Sequence, residues 1–168
     1  MIHRKSLVLG ATGAVAARAA LKRVLLVKLR HDVGHLNDGD IAPLLAGFAD
    51  DAVLHFNDGP HRWAGEHRGK PAIEHFLREF VRAGLQGDIR DVWFGGPPWA
   101  MTLLVRFDDR SVTEDGVELY ANRTVLWART RFGRIVEQRD YYEDTGRILE
   151  LDQRLAERGI APLEPVGA

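Results

Sequence analysis

The 168-residue sequence has no cysteine, and its charges almost cancel, with 23 basic against 24 acidic residues. The missing cysteines exclude disulfide bonds, a thiolate nucleophile and cysteine-ligated metal sites. The lack of a basic excess argues against nucleic acid as the main partner. No segment reaches the roughly 18 consecutive apolar residues of a membrane span. We therefore expect one soluble domain, cytoplasmic by default, that contacts neither nucleic acid nor membrane and acts on a small molecule.

A glycine motif near the N-terminus does not complete a nucleotide-binding pattern. Gly10-Ala11-Thr12-Gly13 follows an apolar run and looks like the opening of a dinucleotide-binding turn. Such a turn needs a third glycine and an acidic residue about 20 positions on. Ala16 stands at the glycine position, and a helical run follows it. We therefore expect no nucleotide, and the sequence indicates no other cofactor.

The same segment carries the outline of a secretory signal. Basic residues at positions 3–5 precede a weakly apolar stretch that ends in Ala14-Val15-Ala16. The stretch is rich in small residues rather than leucine, and it continues without a break into Arg18 and an amphipathic pattern. We interpret residues 1–14 as an N-terminal segment, with a cleaved signal as the alternative.

Apolar periodicity predicts four helices. Apolar residues recur three or four positions apart between Val15 and Leu36, which places them on one helical face. Pro43 suits the first turn of a short helix, and Asp144 or Thr145 can cap the last one. The predicted helices are 15–36, 41–48, one through Ile73, Phe76, Leu77, Phe80 and Val81, and one with Ile148, Leu151 and Leu155 on one face.

Segments rich in β-branched and aromatic residues, separated by glycine and proline, predict strands. The predicted strands are 52–56, a short one through Trp63, and 89–94, 99–107, 117–130 and 134–142. The last four are expected to form a meander. Helices gathered first and strands afterwards indicate an α+β domain, in which N-terminal helices cover one face of a curved sheet.

Three short motifs give a family resemblance. They are Phe48-Ala49-Asp50-Asp51-Ala52 before a strand, Gly69-Lys70-Pro71-Ala72-Ile73 at the start of the third helix, and Gly133-Arg134-Ile135 followed by Arg139-Asp140-Tyr141. In this order they resemble the nuclear transport factor 2-like superfamily, which includes ketosteroid isomerases, SnoaL-like polyketide cyclases and limonene epoxide hydrolases. The resemblance implies a cystatin-like α+β cone with a mixed or antiparallel sheet. The resemblance covers about residues 21–155, and we place a single SnoaL-like domain at 15–158. Pro162 and Pro165 indicate a loose tail at 159–168.

Two motifs are similar to those of limonene epoxide hydrolases, namely Arg106-Phe107-Asp108 and Arg139-Asp140-Tyr141. The resemblance implies a catalytic triad of Asp108, Arg106 and Asp140. The two-residue repeat of a strand puts Arg106 and Asp108 on one side, and Asp140 lies on a later strand that can neighbour them. One arginine between two carboxylates can hold one of them ionised as a base while the other keeps a proton as an acid.

Two observations leave this triad open. Arg106 and Asp108 can form an exposed strand end beside Asp109 and Arg110. The other side of the same strand is apolar and carries Met101, Leu103, Val105 and Phe107. If that side lines the pocket, the triad is excluded. Asp140 is the preferred general base because it suits cyclase, hydrolase and dehydratase chemistry alike.

Five further residues are predicted to bind substrate. Alignment on 48–52 puts Leu54 and Phe56 where the epoxide hydrolases have the tyrosine and asparagine that hold the attacking water, which is a departure from that family's pattern. The same alignment puts Phe56 where ketosteroid isomerases have their base. Classical steroid isomerisation through that carboxylate is therefore not expected. Tyr120, Asn122 and Tyr142 can orient a polar ligand group, although such residues on strands more often pack or satisfy neighbours.

The sequence predicts no metal site. His31 and His35 stand four apart on a helix, a spacing that can bind metal, but no third ligand is evident. The four tryptophans fit a core, a pocket wall or a dimer surface better than a stacking platform; they are Trp63, Trp93, Trp99 and Trp127.

The resulting hypothesis is a cofactor-independent SnoaL-like enzyme that binds an apolar small molecule in the cone and uses Asp140 as general base. Epoxide hydrolase, cyclase and isomerase chemistry all remain open. The alternative is a catalytically silent ligand-binding or dimerisation domain of the same fold, in which the carboxylates make structural ion pairs. A homodimer is expected because sheets of this superfamily commonly pair through their outer face. The neighbouring residues Val125 and Leu126 also give this sheet apolar side chains on both faces.

Overall fold

The computed structural model describes residues 3–113 and 116–164 and shows an α+β architecture. Four helices and six strands make up this part of the chain. In order they are α1 (His3–Asn37), α2 (Ala42–Ala46), β1 (Phe48–His55), β2 (Glu66–Arg68), α3 (Gly69–Arg82), β3 (Leu85–Gly95), β4 (Thr102–Val112), β5 (Glu118–Arg131), β6 (Arg134–Tyr142) and α4 (Gly146–Glu157).

One mixed, curved sheet holds all six strands in the order β2-β1-β6-β5-β4-β3. Strands β3 to β6 form the predicted antiparallel meander, and β1 joins β6 in parallel. Residues alternate between buried and exposed along β3 and β4, as the two-residue repeat requires. The buried face of the sheet and the four helices together enclose the core.

Helix α1 runs beside β3, the edge strand of the sheet. The guanidinium of Arg18 donates to the carbonyl of Phe94 (2.6 Å), and that of Arg30 donates to the carbonyl of Ile89 (3.1 Å). Asn37 exchanges two hydrogen bonds with the backbone of Gly87, at 2.9 and 2.7 Å. Polar side chains of the helix thus occupy backbone groups that an edge strand otherwise presents to other chains.

Helix α3 confirms the predicted pattern, since Ile73, Phe76, Leu77 and Phe80 are all buried. Its Glu79 is also buried, because Arg62 lies against it with 3.5 Å between Nη1 and Oε2. Arg62 further donates to Asp152 of α4 (2.6 Å) and to the carbonyl of Ile160 (2.8 Å). This ion network joins the loop after β1, α3, α4 and the C-terminal segment.

Two of the predicted elements differ in the structure. Helix α1 begins at His3 instead of Val15, and the Gly10-Ala11-Thr12-Gly13 motif lies inside it, where alanine and leucine favour the helix despite the glycines. Trp63 belongs to a turn, closed by a bond from the Ala64 amide to the His61 carbonyl, and not to a strand.

The expected loose C-terminal tail is attached to the domain over part of its length. Ile160 is bound by Arg62, the carbonyl of Ala161 accepts from Arg82 (3.0 Å), and the amide of Leu163 donates to Glu79. Pro162 interrupts regular structure without preventing these side-chain contacts. Positions 165–168, with Pro165, lie outside the described residues.

Candidate functional site

The inner face of the sheet bounds a cavity of about 90 Å³. Its apolar lining comes from α1, α2, α3, β1 and the meander. The polar exceptions are all on β6, namely Gln138, Asp140 and Tyr142. The polar side chains therefore lie on one wall, formed by β6, and the other walls of the cavity are aliphatic and aromatic. A cavity of this kind, with few convergent polar groups, is the usual form of a small-molecule site.

Asp140 is the charged group of this cavity. Its side chain faces inward from β6, the residue is 7% exposed, and its Oδ1 accepts a hydrogen bond from Gln138 Nε2 at 2.8 Å. Gln138 is its one hydrogen-bond partner among the described residues, so Oδ2 has none there. Burial raises the pKa of Asp140 to about 7, and the Gln138 hydrogen bond opposes this rise. Near neutral pH the carboxyl group is therefore divided between its two protonation states.

The structure does not form the predicted triad, because Arg106 and Asp108 lie on the outer face of the sheet. The Arg106 side chain is 49% exposed, and its Nε lies 3.9 Å from Asp108 Oδ1. Asp108 instead accepts from Arg90 Nε at 2.7 Å. The register explains the separation: Asp140 pairs with Leu126, and Leu126 pairs with Val105. The apolar side chains of β4 therefore face the cavity. Arg106 and Asp108 point to the opposite side of the strand, where Arg106 is exposed, as the alternative interpretation predicts.

Asp109 is the carboxylate of β4 that faces inward, and the sequence prediction missed it. It is 3% exposed, and its Oδ2 accepts hydrogen bonds from the hydroxyls of Tyr120 (3.2 Å) and Tyr142 (3.1 Å). Burial raises the pKa of Asp109 to about 7; the tyrosine hydrogen bonds lower it and the charge of Asp140 adds a smaller increase. Asp109 stands two positions after Phe107, so the two-residue repeat of the strand places both side chains on the same face. The apolar Phe107 was therefore the signal that could have identified Asp109.

The five predicted substrate-binding residues occupy three different places. Leu54 and Tyr142 line the 90 Å³ cavity. Phe56 and Tyr120 line a neighbouring cavity of about 10 Å³, which also contains Tyr142. Asn122 is committed to structure, since its Nδ2 donates to the carbonyl of Asp144 at 2.7 Å.

No group of three potential metal ligands occurs among the residues 3–113 and 116–164. The rings of His31 and His35 lie 4.5 Å apart, centroid to centroid. Each instead has a neighbouring carboxylate, Asp32 at 3.3 Å and Asp40 at 3.2 Å. Within the same ranges, no helix is both long and apolar enough to cross a membrane.

A curved mixed sheet with helices on its inner face and a cavity between them defines a nuclear transport factor 2-like fold. The SnoaL-like domain family matches residues 29–138, and the chain belongs to this family. The match covers most of the sheet and the cavity wall up to Gln138, two positions short of Asp140.

Several solved structures share the fold. An NTF2-like protein from Burkholderia pseudomallei aligns over 74% of this chain and 94% of its own, with 21% identity and a TM-score of 0.58. TerC, co-crystallised with polyporic acid, aligns over 75% and 95% with 18% identity and a TM-score of 0.57. A candidate polyketide cyclase from Xanthomonas campestris aligns over 77% and 98% with 18% identity and a TM-score of 0.54. No curated protein matches the chain.

Proposed function

We propose that the protein binds a small apolar molecule in the 90 Å³ cavity and that Asp140 acts on it as a general base. The observation that carries this proposal is the position of Asp140, a buried carboxylate at the one polar wall of an otherwise apolar cavity. A carboxylate that only maintained the fold would be expected to have its acceptor sites occupied by protein donors. Asp140 has one such donor, Gln138, which holds Oδ1 and leaves Oδ2 to accept a proton.

The raised pKa of Asp140 suits this role. A general base is most effective when its pKa lies near the working pH. The surrounding apolar groups produce the required shift by disfavouring the charged form. Abstraction of a proton next to a carbonyl breaks a C–H bond, leaves its electron pair in the enolate and protonates Asp140. Return of the proton to another carbon gives isomerisation. In cyclisation the enolate carbon attacks a second carbonyl of the same molecule, a C–C bond forms, and the resulting alkoxide takes the proton back from Asp140.

Epoxide hydrolysis is the less favoured chemistry. The triad that would supply an acid beside Asp140 is not formed, because Arg106 and Asp108 are on the opposite face of the sheet. The fold shared with a candidate polyketide cyclase is compatible with proton abstraction, although at 18% identity it supports the architecture alone. Among the chemistries considered, proton transfer at an enolisable substrate fits the cavity best.

The size and polarity of the cavity restrict its ligand. At about 90 Å³ it is smaller than the roughly 150 Å³ engineered cavity that admits benzene. Without movement of the walls it therefore accepts only a molecule of a few heavy atoms. A larger ligand requires Leu29 and Val33 of α1, or Leu44 of α2, to move away from the sheet.

The test is deuterium uptake by acetone, a ketone small enough for the cavity, followed by NMR in D₂O. We expect the protein to accelerate exchange of the α-protons and the Asp140→Asn variant to lose about 10²-fold of that acceleration. Asp108→Asn is the matched control, because it removes a carboxylate from the outer face and should leave the rate unchanged. No acceleration by the wild-type protein, or equal acceleration by Asp140→Asn, would contradict the proposed base.

A catalytically silent ligand-binding domain is the second candidate. It is favoured by the hydroxyl of Tyr142, which is bound to Asp109 and so does not serve as an acid at the cavity wall. Chemical-shift changes on addition of acetone, confined to residues of the cavity and without deuterium uptake, would support this candidate over the enzyme.

A further inference from the structure

A second, smaller cavity of about 10 Å³ lies between the inner face of the sheet and helices α3 and α4. Tyr142 lines both cavities. Most of the walls of the smaller one are aliphatic or aromatic; the exceptions with polar atoms are Asp109, Tyr120, Tyr142 and Trp63. Its volume matches the roughly 10–15 Å³ of probe-occupied space that one water molecule needs.

Two buried polar atoms belong to residues lining this cavity and have no hydrogen-bond partner among the described residues. One is Oδ1 of Asp109, an acceptor when the carboxyl group is ionised. The other is Nε1 of Trp63, which can only donate. Trp63 is 2% exposed, so bulk solvent does not reach its indole nitrogen.

Leaving either atom unpaired in an apolar interior is unfavourable, because each has lost its hydrogen bonds to water without replacement. The two atoms are complementary in kind but belong to separate parts of the chain, the loop after β1 and strand β4. A bridging molecule must accept from one and donate to the other. Water does both, and the hydroxyl oxygens of Tyr120 and Tyr142 remain available as acceptors for its second hydrogen.

We propose that the 10 Å³ cavity binds one structural water molecule, which accepts a hydrogen bond from Trp63 Nε1 and donates one to Asp109 Oδ1. The site lies outside the ligand cavity, and the inference does not depend on whether Asp140 is a base. Buried waters of this kind are integral to a fold and typically make about three hydrogen bonds.

The bound water extends the contacts of Asp109 from two donors to three. Tyr120 and Tyr142 occupy Oδ2, and the water occupies Oδ1. Donors directed at both oxygens favour the ionised carboxylate and oppose the effect of its burial. Because Tyr142 also forms part of the larger cavity wall, Asp109 and its water act as positioning groups for that wall.

Crystal structures of the wild-type protein and of Trp63→Phe, at about 1.5 Å resolution, test the site. We expect one ordered water within hydrogen-bond distance of both Trp63 Nε1 and Asp109 Oδ1 in the wild type. Phenylalanine retains an aromatic ring but not the N–H group, so the variant should lose this water or show it displaced from its position. A dry cavity, or a water that contacts only one of the two atoms, would overturn the proposal.

A solution measurement keeps the test independent of whether the variants fold. The indole N–H resonance of Trp63 in the wild-type protein should show a cross-peak to water with the sign of a long-lived bound molecule. Trp99 is the internal control, because it is 59% exposed and should show only rapid exchange with solvent. A Trp63 indole resonance without a bound-water cross-peak would contradict the inference.

Discussion

Asp108 and Asp109 are adjacent in the sequence and lie on opposite faces of the sheet. Asp108 is bound by Arg90 at the outer surface, whereas Asp109 is bound by two tyrosine hydroxyls in the interior. The difference follows from the alternation of side chains along β4. Burial raises the pKa of Asp109, as it raises that of Asp140.

The two buried carboxyl groups should make stability fall as the pH rises. Each has a pKa of about 7 in the folded protein, against roughly 3.9 for an unperturbed Asp. Between these values the folded state retains a proton that the unfolded state has released, so each group reduces the free energy of unfolding by about 1.4 kcal/mol per pH unit. Above about pH 7 both states are ionised and the contribution becomes constant.

Asp140→Asn and Asp109→Asn should therefore gain stability relative to the wild type as the pH is raised from about 4 to 7. Urea unfolding at several pH values measures the difference, and Asp108→Asn, which removes a carboxylate from the outer face of the sheet, serves as the control. No buried guanidinium is left unpaired by Asp140→Asn, because Arg106 is not its partner. A variant curve parallel to that of the wild type would show that Asp140 or Asp109 is not protonated in this range.

The fold was predictable from the sequence, whereas the site was predictable only in part. Helix α3 and the antiparallel meander have strong periodicity, and β6 was predicted with its observed bounds. Asp140 was placed on the correct strand. A motif match, however, cannot determine which of the two sets of alternating side chains on β4 faces inward. That choice depends on packing across three strands, where Val105 and Leu126 lie beside Asp140. The inward Asp109 therefore became visible only in the folded arrangement.

Gly87 is expected to tolerate no side chain. A Cβ there would overlap the ring of Phe107 and lie 3.2 Å from Val33 Cγ1. The same residue exchanges two backbone hydrogen bonds with Asn37, so movement of β3 away from Phe107 would also separate it from α1. Gly87→Ala should reduce the free energy of unfolding by about 1–3 kcal/mol.

Gly95→Ala is the matched control for this substitution. It lies in the same strand, β3, and nothing stands within 4 Å of the added Cβ. Its free energy of unfolding should stay within about 0.5 kcal/mol of the wild-type value in chemical denaturation. Equal losses for the two variants would indicate a general effect of replacing glycine in this strand rather than a clash with Phe107.

Arg62 is expected to be required for stability through its buried ion pairs. The side chain is 1% exposed and contacts Glu79, Asp152 and the carbonyl of Ile160. Arg62→Met leaves Glu79 as an uncompensated buried charge and should cost about 3–5 kcal/mol. Arg78→Met, which removes an exposed pair with Glu74, should cost less than about 1 kcal/mol. Similar thermal melts for both variants would contradict a structural role of the network.

Deletion of residues 1–14 should have little effect on stability. Side chains 13–20 of α1 are exposed, and within this stretch Arg18 donates a hydrogen bond to the Phe94 carbonyl of β3. A deletion that continues through Lys22 also removes the 2.7 Å ion pair with Asp91 and should lower the melting temperature further. A loss of more than about 2 kcal/mol from the shorter deletion would mean that this segment packs against the domain.

The protein is expected to be a homodimer that pairs through the outer face of the sheet. Val125 and Tyr141 face outward in register on β5 and β6, and Leu104 is exposed on the adjoining β4. Apolar side chains grouped on a sheet face are typical of subunit interfaces. Sedimentation at micromolar concentration should give a dimer, and Val125→Arg should shift it to monomer by burying an unpaired charge at the interface. Phe132→Arg, at the exposed β5–β6 turn, should leave the dimer intact. A wild-type protein that sediments as a monomer would remove this assignment.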